Sequence, residues 1–135
     1  MYFLDTNICI DFLRGKLQTG YAFLQENPPQ LFKIPAVVEA ELLVGAEKSA
    51  NPEKSRRAVE IFLLPFEIVP FDSQCAKHYA QTRAKLELSG KKIGPNDLLI
   101  GATVLSHAGT LITNNVKEFK RVEGLHVESW AEVSV

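Results

Sequence analysis

The chain is short of cysteine, of charge of one sign and of long apolar runs, and each shortage excludes something. Its two cysteines, Cys9 and Cys75, stand far apart in 135 residues and make no metal-ligand spacing. That excludes a disulfide framework and argues against a zinc site. Fifteen Lys and Arg against 16 Asp and Glu give a formal net charge of −1, which excludes tight binding of a polyanion by charge alone. No apolar run approaches the ~18 residues of a membrane-spanning helix. Asp5 and Asp11 interrupt the first apolar stretch, which does not suit a signal peptide. There is also no internal repeat, low-complexity segment or dividing linker. What is present is an ordinary globular composition, 46% hydrophobic and 23% charged, which predicts a single domain over residues 1–135, cytoplasmic in location.

Short apolar runs alternate with longer segments of helical period, the pattern of an α/β fold with a mostly parallel sheet of four or five strands. Strands are expected at 2–4, 31–34, 66–69, 110–113 and 126–128. A helix follows Asp5 and ends near Leu13, where Arg14-Gly15-Lys16 punctuates the chain. Further helices are expected at 19–26, 36–48 and 52–63, with Pro35 opening the second of these at its first position. A long helix capped by Asp72-Ser73 runs to Leu88, an apolar one covers 96–107, and a short one lies near 116–120.

Three acids stand in apolar surroundings. Asp5 directly follows the first strand, at the carboxyl edge where open parallel sheets hold their ligands, though an Asp there also serves as a helix cap. Asp97, in Gly94-Pro95-Asn96-Asp97-Leu98-Leu99-Ile100, opens a helix that is apolar on most sides, with Asn96 as a second candidate cap. Glu41 has Val37, Val38, Val44 and Gly45 at helical spacing, a costly setting for an unpaired carboxylate. Glu39 is as poorly placed among Pro35, Ala36, Leu42 and Leu43, and periodicity does not choose between the two. Three carboxylates from three segments suit a hard divalent cation such as Mg²⁺ or Mn²⁺, which activates water and offsets charge on a phosphoryl group.

The same residues resemble the motifs of PIN-domain nucleases, and among them the VapC-type toxin ribonucleases of type II toxin–antitoxin systems. Leu4-Asp5-Thr6-Asn7 is similar to the first motif and Glu41-Leu42-Leu43-Val44-Gly45 to the second, a match that selects Glu41 over Glu39. Gly94-Pro95-Asn96-Asp97 with Ile100-Gly101-Ala102 resembles the third. Thr113-Asn114-Asn115-Val116-Lys117-Glu118-Phe119 with Gly124-Leu125 resembles the fourth, and Trp130 closes the chain as in many members. The resemblance implies a three-layer α/β/α sandwich, a metal-dependent endoribonuclease, a homodimer and a cognate VapB-like antitoxin. The RNA it implies as substrate includes transfer RNA. Asp5 and Asp97 would hold Mg²⁺, with Mn²⁺ as a substitute, and Glu41 would ligate it or orient the attacking water. Hydrolysis of that kind leaves a 5′-phosphate and a 3′-OH. Thr6 and Asn7 would fix the first carboxylate or touch phosphate, with Asn96 and Thr113 in support. Many relatives carry an acid two residues after the motif-four Thr, where this chain has Asn115, so Asn115 and Glu118 compete to complete the site.

Other readings remain open at this level: a PIN-type nuclease acting on DNA or in RNA maturation, a PIN-like scaffold that binds RNA without cutting it, or a Mg²⁺-binding phosphoacceptor domain, although Asp5 lacks the adjacent acid which that last class uses. The cation pairs Arg14-Lys16, Lys91-Lys92 and Lys120-Arg121 flank the site segments as candidate backbone contacts for RNA or as plain solvated charge. His78, His107 and His126 are scattered and read as structural or surface residues, and the two cysteines as buried small hydrophobes. Tyr21, Phe23 and Leu24 read as core or dimer surface, and the helices near Ile8 and Val59 offer apolar surface to a partner helix.

Overall fold

The structure is a computed structural model that describes residues 1–15 and 18–130, without side-chain detail for 18–21. Five strands form one sheet: β1 (Tyr2–Leu4), β2 (Phe32–Pro35), β3 (Glu67–Val69), β4 (Thr110–Ile112) and β5 (His126–Glu128). Eight-residue α1 (Thr6–Leu13) and then α2 (Gln18–Glu26) separate β1 from β2. α3 (Ala36–Glu47) and α4 (Pro52–Leu63) lead to β3, while α5 (Ser73–Leu88) and α6 (Pro95–Ser106) lead to β4. The short α7 (Val116–Phe119) joins β4 to β5.

Every strand pairing is parallel, in the order β3-β2-β1-β4-β5. Parallel strands need crossovers, and right-handed crossovers decide which face each helix covers. The chain steps from β1 outward to β3, then returns across the sheet to β4, so the helices before and after that return lie on opposite faces. In agreement, α3 packs on α1 and α4 in one layer, and α5 packs along α6 in the other. The expected three-layer sandwich is therefore present, with five strands. A sheet covered on both faces has apolar strands throughout. Phe3, Leu4, Phe32, Ile34, Leu111 and Ile112 are all fully buried. Trp130 seals one end of this core, its ring edge-on to Phe12, Phe23 and Phe32. Gly109 sits where β4 meets β1: a Cβ there would lie 2.5 Å from a Phe3 ring carbon, so a larger residue would push the two strands apart.

The differences from the expected elements lie at their ends. Leu31 belongs to a 3₁₀ turn (Pro29–Leu31), so β2 starts one residue later. Pro35 is the last residue of β2 and the N-cap of α3, not its first helical residue. The strand expected over 110–113 stops at Ile112, leaving Thr113 beyond the sheet edge. Pro95, not Asn96, opens α6. Lys16, the Tyr21 side chain and residues 131–135 lie outside the described residues.

Candidate active site

The strand order reverses direction beside β1, which has β2 on one side and β4 on the other. In open parallel sheets, ligands sit beyond the carboxyl ends of the strands at such a reversal. Asp5 follows β1 there and is only 3% exposed. Its two expected roles coincide. As N-cap of α1 it accepts from the Thr6 backbone N–H at 2.8 Å through Oδ1. Its other oxygen, Oδ2, accepts from the Thr113 hydroxyl at 2.6 Å. Thr113 is fully buried just past β4 and its Oγ1 in turn accepts from the Asn115 backbone N–H at 2.9 Å. Two adjacent strand ends thus hold one carboxylate in a fixed orientation.

Glu41 reaches the same place from the middle of α3. Its Oε1 accepts from the Thr6 hydroxyl at 2.6 Å and its Oε2 from the Asn96 amide at 3.3 Å. Glu39 instead sits in the first turn of α3, where the helix dipole favours an acid. Two expectations change here. The Thr6 hydroxyl serves the second carboxylate, and only its backbone serves the first. Asn96 caps nothing: Gly94, which has no side chain, is the N-cap of α6, and the Asn96 amide bridges α6 to α3. Asn7 touches neither carboxylate among the described hydrogen bonds. Its Oδ1 accepts from the Asn114 N–H at 3.2 Å and so anchors the loop after β4.

Asp97 stands in the first turn of α6, half-buried. Glu118, on α7, accepts from the Gly94 N–H at 3.0 Å and from the Asn115 amide at 2.6 Å. Asp97 Oδ2 and Glu118 Oε1 both lie 3.9 Å from the point where a Gly94 Cβ would stand. Asn115 therefore acts through Glu118, orienting it. Sequence reasoning missed Gly94 as a donor, since a backbone N–H leaves no mark in side-chain chemistry. It also missed Asp11, whose Oδ2 accepts from the Asn114 amide at 2.9 Å.

Electrostatics tie the four acids into one site. Burial pushes the Asp97 carboxyl from its ordinary 3.8 up to about 6, and the charges of Asp5, Glu118 and Glu41 push the same way. Burial also raises Asp5, against the lowering hydrogen bonds from Thr113 and Thr6, with Glu41 and Glu118 again raising it. Glu118 is held below its ordinary value, first by the Gly94 N–H and then by Asn115. None of the four is in an ion pair among the described residues. Four carboxylates outside any such ion pair, offering only oxygen donors, are chemically suited to a hard divalent cation. Among the described residues no three acidic, histidine or cysteine side chains stand close enough to ligate one ion. Glu41 and Glu118 are each turned onto neutral donors, and a shift of either side chain is what ligation requires.

A profile of the PIN domain matches residues 2–125 of this sequence. The chain belongs to the PIN-domain family. PIN-domain nucleases work with a divalent metal, which agrees with the oxygen-only donor set of this PIN domain. Over 96% of its length it is 38% identical to ribonuclease VapC2 of Rickettsia felis, covering 98% of that protein. It is 35% identical to the tRNA(fMet)-specific endonuclease VapC of Shigella flexneri, at 96% and 98% coverage. In three dimensions it is similar to a chain of the DNA-bound VapBC structure from Salmonella typhimurium, with a TM-score of 0.91, 35% identity, and 96% and 97% of the two chains covered. The PIN fold, its sheet and the VapC likeness expected from the motifs are all present. No helix among the described residues is long and apolar enough to cross a membrane.

Proposed function

We propose that this chain, as a single PIN domain over residues 1–135, is a VapC-type toxin: a Mg²⁺-dependent endoribonuclease of the cytoplasm that cuts RNA, transfer RNA included, and is silenced by a VapB-like antitoxin. One observation carries the catalytic reading. Asp5, Glu41, Asp97 and Glu118 come from four separate elements to one sheet edge, and none of them is in an ion pair among the described residues. Asp5 and Asp97 would hold the metal, Mn²⁺ substituting, with Glu41 and Glu118 available to it or to its water. A divalent ion there supplies a lowered water pKa and offsets charge on the phosphate. The chain's residues supply orientation. Thr113 and the Thr6 N–H fix Asp5, the Thr6 hydroxyl and Asn96 aim Glu41, and Asn115 with Gly94 fixes Glu118. Asp97 is raised toward neutrality by burial and like charge until a cation offsets that repulsion.

A groove of about 310 Å³ lined by Ile10, Leu13, Leu42, Ala46, Ala58 and Val59 supports the partner reading, and Glu41 and Arg14 line it too. An apolar antitoxin helix seated there would lie against a site carboxylate. A second opening, between α3 and α6, exposes Val44 beside Glu41 and Asn96, which supports a homodimer formed near the site.

The test is incubation of the purified chain with total RNA in Mg²⁺, in Mn²⁺ and in EDTA. Cleavage should require metal, leave 5′-phosphates, and disappear in Asp5→Asn and Asp97→Asn. Cutting that survives either substitution overturns the assignment, and an unaffected RNA pool overturns the function.

A further inference from the structure

A third cavity borders the segment that follows α7. It measures about 360 Å³ and lies between α5 and the end of α7, lined by His78, Thr82, Lys85, Lys91, Arg121 and Glu123 among others. Three permanent cations face it against one carboxylate, the reverse of the balance at the acidic site. Its cations are also available. The ion pair inside it, Lys85 to Glu123 at 3.4 Å, joins side chains 67% and 82% exposed, and such pairs yield readily to a better anion. Lys91 makes no ion pair among the described residues. Arg121 spends one N–H on the Lys92 carbonyl, at 2.5 Å, leaving the rest of its five-donor fork.

Its position relative to the acids gives it meaning. The Arg121 N–H bonds the Glu118 carbonyl at 3.1 Å, so the cation stands one helical turn beyond the acid. The loop before α6 is clasped twice by the same segment: Gly94 donates to Glu118 on the acidic side, and the Lys92 carbonyl accepts from Arg121 on the basic side. One rigid clasp thus sets a basic cavity at a fixed offset from the acidic centre.

We propose that this cavity is a phosphate subsite for the RNA strand, taking a backbone phosphate flanking the scissile bond on Lys85, Lys91 and Arg121. The inference rests on the nuclease reading for its substrate, and it explains how a chain of net charge −1 engages a polyanion: the attraction is concentrated beside the site instead of spread over the surface. His78, Thr82 and Ser89 also line the cavity and add hydrogen-bonding groups around the cations.

The test compares Lys85→Ala/Lys91→Ala and Glu123→Ala with the parent chain, leaving Arg121 and its clasp in place. Fluorescence anisotropy with a single-stranded RNA of about 20 nucleotides, in EDTA and across a salt series, reads binding without chemistry. The double variant should bind roughly tenfold more weakly and flatten the slope of log K against log salt by about 1.4, two phosphate contacts at about 0.7 each. Glu123→Ala should bind more tightly, an outcome that misfolding does not produce. In Mg²⁺, the double variant should raise KM for that RNA while kcat, and KM for a dinucleotide spanning only the cut bond, stay unchanged. Unaltered affinity and slope in the double variant, or weaker binding in Glu123→Ala, overturns the subsite. Absence of cleavage in the parent chain with the binding differences intact overturns the nuclease reading alone.

Discussion

The acidic centre and the basic cavity meet across α7 and are built in opposite ways. Every oxygen of Asp5, Glu41 and Glu118 is aimed by a short bond from a threonine, an asparagine or a backbone N–H. The lysines of the cavity stand on exposed, flexible stems with one loose ion pair, and Arg121 alone is tied down by its bond to the Lys92 carbonyl. The difference teaches how charge is used at two distances from a reaction. Groups that hold a reacting centre are preorganised, at the cost of desolvation and like-charge repulsion that burial makes worse. Groups that hold a chain further out gain from mobility, since a backbone phosphate demands little geometry.

The largest expected effect breaks the acidic side. Asp97→Asn should lower metal-dependent RNA cleavage by a factor on the order of a thousand, several kcal/mol of lost charge stabilisation, and calorimetry should show the metal-free variant melting higher than the parent because repulsion among the acids is relieved. If the variant melts lower, the acids are not in conflict and the contrast with the cavity fails. Next comes orientation. Thr113→Val keeps the buried shape but removes the hydroxyl that aims Asp5, so cleavage should fall about 10- to 100-fold with metal affinity falling alongside. An equal loss in Thr113→Ser, which keeps the hydroxyl, would show that packing and not the bond matters.

A subtler effect concerns pH. Asp97 is raised in the folded state above its ordinary 3.8 to about 6, and Asp5 moves in the same direction. The folded chain therefore binds the proton more tightly than the unfolded one. The stability Asp97 gives is full below about 4 and is lost as pH rises through about 6, and Asp5 acts in the same direction. Glu118 and Asp72 work the other way, because the stability they give is present above their ordinary range near 4 and is lost as pH falls below it, through their lowered folded values. Melting temperature in EDTA should accordingly decline between about pH 4.5 and 6.5, while Mg²⁺ should restore it chiefly above pH 6. A flat profile that Asp97→Asn leaves unchanged would count against the coupling. The smallest effect lies outside both regions. Lys33→Ala removes a 2.9 Å pair with Glu67 that joins β2 to the edge strand β3, and neither residue lines the basic cavity or bonds the four acids. It should change stability by no more than about 1 kcal/mol and leave RNA affinity alone, against the roughly tenfold loss expected for the cavity lysines.

Much of this protein is legible in its sequence because local physics decides it. Short apolar runs bounded by prolines, glycines and caps place the five strands and seven helices of the described residues to within a residue or two. Asp72 caps α5 and Pro52 opens α4, both as their residue types predict. The order of the PIN motifs pointed to Asp5, Glu41 and Asp97. Contacts between distant residues were decided only by the tertiary structure. Periodicity could not separate Glu41 from Glu39, because both share helix faces with apolar neighbours. The motif resemblance chose Glu41, and the fold supplies the physical reason by setting Thr6 and Asn96, 35 and 55 residues away, against it. Asn96 looked like a cap because its neighbours in sequence suggest one, whereas α3 supplies it with a carboxylate. The bond from Thr113 to Asp5 spans 108 residues and exists because β4 returns beside β1. The same return sets Lys91 and Arg121 around one cavity. Scarce cysteine, balanced charge and apolar rhythm determined what kind of chain this is. The strand order determined which charges face one another, since hydrogen bonds and Coulomb forces act through space and not along the chain.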